Sequence, residues 1–401
     1  MKNALLLVML LHTISCFGQS ENPTVDEGTP DDSPKLSFSG FFDTYYFGNL
    51  NSPSSRTNLG SSGISRGFDR YCGQFQLGML MFRTEYKFKS VKLVSEVALG
   101  PNAEYGSYGS DFRYRWGTVL ANNTYSAIMI KQAYIDYQLS PKWSFQVGQF
   151  GTHIGFEFID SPLNFHYSIN NTFNAGTPFY HLGAKGTYQL NEKISLMGGI
   201  VNGTDNINDN NRGKSFIGQV AINPAEGLTI FFNTIQGNEA NSRASGRDTT
   251  SYFGVLDLNG SYKVSDRLTL AFWALRGSTR GEFQGGNFFG ETRHWTGVNF
   301  YATVVLNEVF SVGSRLEYFD NKSGARALLT HGNGTSVRTL TVTTCIKLAE
   351  GRLMIKPEFR IDVFNKIKTA GEENNQQFAG RDGVYSKNTQ STIGAAAILK
   401  F

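Results

Sequence analysis

Beyond its first eighteen residues the chain has no apolar run that reaches the roughly eighteen residues of a membrane-spanning helix. Charged residues make up only 17%, the formal charge is +4, and no Lys/Arg run marks a nucleic-acid surface. Six histidines are scattered, and His153, His166 and His181 match no metal-ligand spacing. No carboxylate partner completes a serine–histidine arrangement with Ser161 or Ser168, so the sequence assigns no catalytic residue, cofactor or metal. Three cysteines occur, and only Cys72 and Cys345 lie beyond the leader. Although export permits disulfides, these two are expected unpaired, because Cys72 falls near one end of its strand region and Cys345 near the other.

What is present points to export and to strands. Lys2, the apolar residues 4–11 and the small residues Cys16 and Gly18 give residues 1–18 the form of a signal peptide. A lipoprotein reading at Cys16 is weakened by Thr13, which stands where Leu is usual. Residues 19–34 (QSENPTVDEGTPDDSP) are acidic and proline-rich, with too little apolar surface to repay ordering, so they read as a flexible periplasmic leader. The 32 Phe, 18 Tyr and 44 Gly then supply β-forming aromatics and turn residues.

From residue 35 to 401 the chain repeats one pattern. In 352–364 (RLMIKPEFRIDVF), Leu353, Ile355, Phe359, Ile361 and Val363 alternate with Arg352, Lys356, Glu358, Arg360 and Asp362. A strand sends successive side chains to opposite faces, so one face is apolar and the other charged. Sixteen such segments are predicted, at 36–47, 74–87, 90–99, 126–138, 143–150, 180–190, 193–203, 214–223, 227–237, 251–263, 267–277, 293–306, 309–320, 337–348, 351–363 and 389–401. Their connections alternate between tight turns such as LSPK (139–142) and LAEG (348–351), and long polar loops such as 48–73, 151–179, 278–292 and 364–388. Seven short turns and eight long loops suit sixteen antiparallel strands with both termini on the short-turn side. Such regular segregation belongs to an all-β transmembrane barrel with short periplasmic turns and long extracellular loops. A soluble sandwich has no reason for it.

Phe401, ending a strand whose Ile393, Ala395, Ala397 and Leu399 share a face, is expected to close the barrel against the first strand and remove both sheet edges. Tyr45, Tyr46, Tyr86, Trp143, Tyr188, Tyr262 and Tyr318 fall near strand ends, where interfacial girdles belong. Pro357 removes a ladder hydrogen bond, so a bulge is expected there. Segments 74–87 and 126–138 break the alternation, and bulges or an inward loop would each account for that.

Four stretches, SGFFDTYYFGNLN (39–51), KQAYIDYQLSPKWSFQVGQF (131–150), GFEFIDSPLNFHYS (155–168) and AGTPFYHLGAKGTYQL (175–190), together with the terminal strand, resemble the OmpL-like beta-barrel porins of bacterial outer membranes. The resemblance implies a channel for small hydrophilic solutes, in contact with outer-membrane lipid, but supplies no ligand set.

The residues themselves suggest where a pore is lined. Asp43, Arg83, Glu85, Lys92, Glu96, Gln132 and Asp136 are lumen candidates, each equally readable as an ion pair that merely hydrates the wall. Loop 151–179 is rich in Phe and has no Lys or Arg, which suits it poorly to external water. Folded inward, it would set Glu157 and Asp160 across a gap from Arg315, Lys347, Arg352, Lys356 and Arg360, among which stand Glu317, Glu358 and Asp362. A surface loop or a homo-oligomer contact is the alternative. At the level of function, the alternatives are a non-conducting barrel serving adhesion, assembly or secretion, and a barrel enzyme, for which no residue cluster is seen.

Overall fold

Strand periodicity sets the architecture. The computed structural model describes residues 33–106, 114–115, 127–206, 209, 211–240, 251–283, 286–368 and 374–401. Sixteen long strands form one closed antiparallel barrel. They are β1 (Lys35–Asn49), β2 (Phe75–Phe88), β3 (Val91–Leu99), β4 (Ala127–Ser140), β5 (Trp143–Gly151), β6 (Tyr180–Asn191), β7 (Ile194–Val201), β8 (Ser215–Ala225), β9 (Leu228–Gly237), β10 (Tyr252–Lys263), β11 (Leu268–Phe283), β12 (Gly286–Val305), β13 (Phe310–Asn321), β14 (Asn333–Leu348), β15 (Leu353–Phe364) and β16 (Thr389–Lys400). Two short pieces, Tyr114–Arg115 and Leu329–Thr330, pair with β4 and β14.

Closure comes from β1, which pairs with β2 on one side and with β16 on the other, from Phe41↔Lys400 to Asn49↔Thr392. Phe401 extends this ladder, its backbone exchanging hydrogen bonds with Gly40. The packing is inverted relative to a soluble protein. On β13, Leu316 is 55% exposed while its neighbours Arg315 and Glu317 are 0% and 5% exposed. Lipid solvates the apolar outer face, whereas the charged face turns inward, where partners must be found.

The two irregular segments are resolved by bulges. Between Phe42↔Leu80 and Thr44↔Leu77, β2 carries one extra residue, so Leu77 and Leu80 both face out while Met79 and Met81 are buried inside. Between Glu96↔Gln132 and Val97↔Ile130, β4 carries the extra residue Lys131. Gln149 donates to the carbonyls of Ile130 and Lys131, satisfying backbone groups that the bulge frees.

Three expectations need correction. Pro357 makes no bulge: it pairs with Ala395 in unbroken register, and only the rungs around it toward β14 are missing, with the register equal on both sides. Its lost N–H is absorbed as a local gap in the ladder. Segment 278–292 is a hairpin extension rather than a loop, since β11 and β12 pair out to Phe283↔Gly286, supported by β-forming Thr and Phe. Tyr45 joins no girdle. It points inward and packs 5.5 Å from Tyr167, while Tyr46, Tyr86, Trp143 and Tyr262 are exposed on the outside.

Cys72 and Cys345 are both buried and form no disulfide. Burial pushes the Cys72 thiol up to about 11 despite the nearby Arg56 and Arg66. The thiolate is the reactive form, so alkylation of native protein at pH 8 should be slow at both sites and complete after denaturation. A mass consistent with a Cys72–Cys345 bridge would contradict the register.

Candidate functional site

The segment 152–179 leaves β5 and crosses the barrel interior, contacting strands far apart in the ladder. His153 Nε2 bonds the Thr234 carbonyl of β9 at 2.9 Å, and the Gly155 carbonyl accepts from Asn259 of β10. Ser161 and Tyr167 donate to Asp43 of β1 at 2.6 and 2.9 Å. Asn170 caps a short helix α1 (Asn171–Gly176), its side-chain oxygen accepting from Phe173 N. Beyond the helix start, the Ala175 and Gly176 carbonyls accept from Arg326 and Trp295. Glycines on the wall make room: a side chain at Gly297 would collide with Thr172, and one at Gly313 with Phe165.

Charged residues of β13–β15 serve the backbone of this segment. Glu358 accepts from the Tyr167 and Ser168 amides, and Glu317 from the Thr172 amide and hydroxyl. Arg360 donates to the Ile169 carbonyl at 2.7 Å, and Lys356 Nζ to that of Ser161 at 2.8 Å. Asp362 sits between Arg360 and Arg66, the latter arriving from the first long loop, where it also pairs with Asp69. Each is nearly or completely buried. A buried charge without partners is strongly destabilising, which is why every one is paired or hydrogen-bonded.

The expected water gap between loop acids and basic wall is absent. Glu157 lies 2.6 Å from Arg315 in a buried ion pair that Asn170 N and Tyr301 complete. Asp160 turns away from β13–β15 and pairs with Lys131 at 2.8 Å. Lys347 and Arg352 also fall outside the cluster. They lie by the periplasmic turn between β14 and β15, Lys347 half-buried and Arg352 exposed.

On the opposite wall the inward side chains are less covered. Glu96 of β3 collects Arg83, Lys131 and Gln132, all within 2.8 Å. Arg83 also meets Glu85 at 3.1 Å, and Lys92 meets Asp136 at 3.2 Å. Lys92, Asp136, Gln146, Lys185, Thr187, Met197 and Gln219 are half-buried, in contrast to the sealed face of β13–β15. Lys131, Arg66 and the asparagines of α1 escaped the sequence reading. A bulge has no periodic signature, although the run SINNTFNAG could have announced the cap at Asn170.

The histidines and serines do not combine. His166 Nδ1 meets Thr343, His181 Nδ1 meets the Gly203 carbonyl, and Ser161 and Ser168 meet Asp43 and Arg360. Burial beside His181 brings His153 down to about 3, so its imidazole is neutral.

One external contact is pH-sensitive. Glu239, beyond β9, accepts from Thr204 N, Thr204 Oγ1 and Ser215 Oγ. Burial raises its carboxyl from 4.5 to about 7, against those donors. The folded state therefore keeps a proton that the unfolded chain has lost, and stability falls as pH rises between about 4.5 and about 7. Amide-exchange protection at Thr204, corrected for intrinsic rate, should be greater at pH 5 than at pH 8, and Glu239→Gln should flatten the difference. Unchanged pH dependence in that variant would refute the assignment.

The fold has relatives among solved structures. The outer membrane channel DcaP of Acinetobacter baumannii aligns with TM-score 0.57 and 11% identity, over 93% of this chain and 99% of its own. OmpT of Vibrio cholerae aligns with TM-score 0.55 and 10% identity, over 93% and 99%. The anion-selective porin from Comamonas acidovorans gives 0.54 and 10%, over 92% and 100%. No curated protein sequence matches the chain. The family model described as "Putative beta-barrel porin-2, OmpL-like" matches residues 35–401, essentially the whole barrel; the chain belongs to that family and is a bacterial outer-membrane protein.

Proposed function

We propose that the barrel is a passive, non-enzymatic channel for small hydrophilic solutes, narrowed by segment 152–179. The observation that carries this reading is the asymmetry of the interior. The segment covers the charged face of β13–β15, while on β4 to β8 Asp136, Gln146, Lys185 and Gln219 stay half-buried; toward the external end of the same arc Phe150, His181, Val201 and Ile217 are buried. A sixteen-stranded barrel is wide enough to keep an aqueous path beside such a filling. DcaP is described as a channel and the Comamonas protein as an anion-selective porin; at such identities the likeness supports the fold.

A second reading, a non-conducting barrel for adhesion, assembly or secretion, is favoured by one observation. Phe68 of the first long loop packs on Tyr105 at 4.9 Å and on Phe179 at 5.6 Å, so several loops seal against one another. Planar-bilayer recording of the folded chain decides. Discrete conductance steps support the channel. A silent bilayer, from protein whose unboiled gel mobility shows a closed barrel, supports the second reading. We also propose that residues 1–18 direct export, that 19–34 form a periplasmic leader, and that a homo-oligomer is the assembled form.

A further inference from the structure

We infer that Lys185 sets the ionic preference of the channel and that the favoured solutes are small hydrophilic anions. This rests on the channel reading above. Along five consecutive strands, β5 to β9, Lys185 is the sole Asp, Glu, Lys or Arg. The register turns it inward, opposite Gln146 on one side and Gly199 on the other. Its inward neighbours on this arc, Gln146, Thr187, Met197 and Gln219, are neutral and half-buried.

The charge of Lys185 is not cancelled. Among the described residues no carboxylate lies within ion-pair distance of it. Asp136, one strand beyond Gln146, is held by Lys92 at 3.2 Å and by Gln146 at 2.8 Å. The ammonium lies 4.5 Å from the centroid of the Phe150 ring. A ring face attracts the cation without neutralising it, so the ammonium is held at the wall. The other cations near this opening, Arg83, Lys92 and Lys131, each face a carboxylate within 3.2 Å. On the sealed side, Arg315, Lys356 and Arg360 are consumed by segment 152–179. Along β5 to β9 the described strand residues therefore carry one charge, and it is positive. A low-dielectric wall focuses that field into the passage.

The test is the reversal potential of the full-length folded protein in a KCl gradient, with gel mobility confirming that each variant is a closed barrel. A unit charge a few ångströms from an ion in water changes its local population about three- to fivefold. Wild type should thus prefer chloride. Lys185→Gln should remove that preference, Lys185→Glu should turn it toward potassium, and Lys185→Arg should retain it. The shifts should shrink at 1 M salt, where the Debye length is about 3 Å. If Lys185→Gln and Lys185→Glu conduct with the wild-type chloride-to-potassium ratio, the inference is overturned while the channel reading stands. A folded wild type that does not conduct overturns both.

Discussion

Replacing residues 161–168 by a short Gly-Ser bridge should raise single-channel conductance severalfold, because conductance through an aqueous pore follows its open cross-section and the groups that line it. This stretch carries the densest part of the filling: Ser161 and Tyr167 on Asp43, the Ser161 and Asn164 carbonyls on Lys356, and the Tyr167 and Ser168 amides on Glu358. Without it, those wall charges face the lumen and water enters to solvate them. Strand pairing is untouched, so the shortened protein should keep the gel behaviour of a closed barrel. Conductance equal to wild type in such a folded variant would show that the passage does not run beside the segment.

Glu157→Ala has the larger effect on stability. It leaves the Arg315 guanidinium buried without its carboxylate, and breaking a buried pair from one side typically costs about 3–5 kcal/mol. Arg315 keeps its bonds to the Ser168 carbonyl and Thr341, which places the loss toward the lower end of that range. Arg315→Met should be comparably damaging, because it strands Glu157. The double variant Glu157→Gln/Arg315→Met should recover much of the loss, since neither charge then remains to be solvated. Urea titration in detergent reads all three. Single-variant losses below about 1 kcal/mol, the level of a solvent-exposed pair, would mean that water reaches this pair.

The barrel was legible in the chain because lipid outside and polar groups inside impose opposite chemistry on alternate residues. In β15, Phe359 against Arg360 and Ile361 against Asp362 announce the two faces without any knowledge of partners. The interior was legible only as composition. That segment 152–179 is apolar and lacks cations could be read; that Glu157 would meet Arg315, or Asp160 meet Lys131, could not. Those choices are made by three-dimensional proximity across 158 positions in one case and by a bulge in the other. Likewise nearness to a strand end does not say which face a residue takes, and Tyr45 faces inward. Lys185 has no signal of its own in the chain, since what sets it apart is the neutrality of the strands around it.

The long reach of the inward segment bears on how the protein is assembled. Nearly every group that holds it arrives later in the chain, including Glu358, which binds the Tyr167 amide from 191 positions away. Until β12 to β16 are in place, the segment has its helix cap and a minority of its anchors, among them Asp43 of β1 and Lys131 of β4. Contacts so distant in sequence are slow to form, because loop closure must precede the reward. The wall must therefore wrap around its own filling before most of these anchors can form. A chain truncated before β15 would lose the seam together with Lys356, Glu358 and Arg360, which grip the filling.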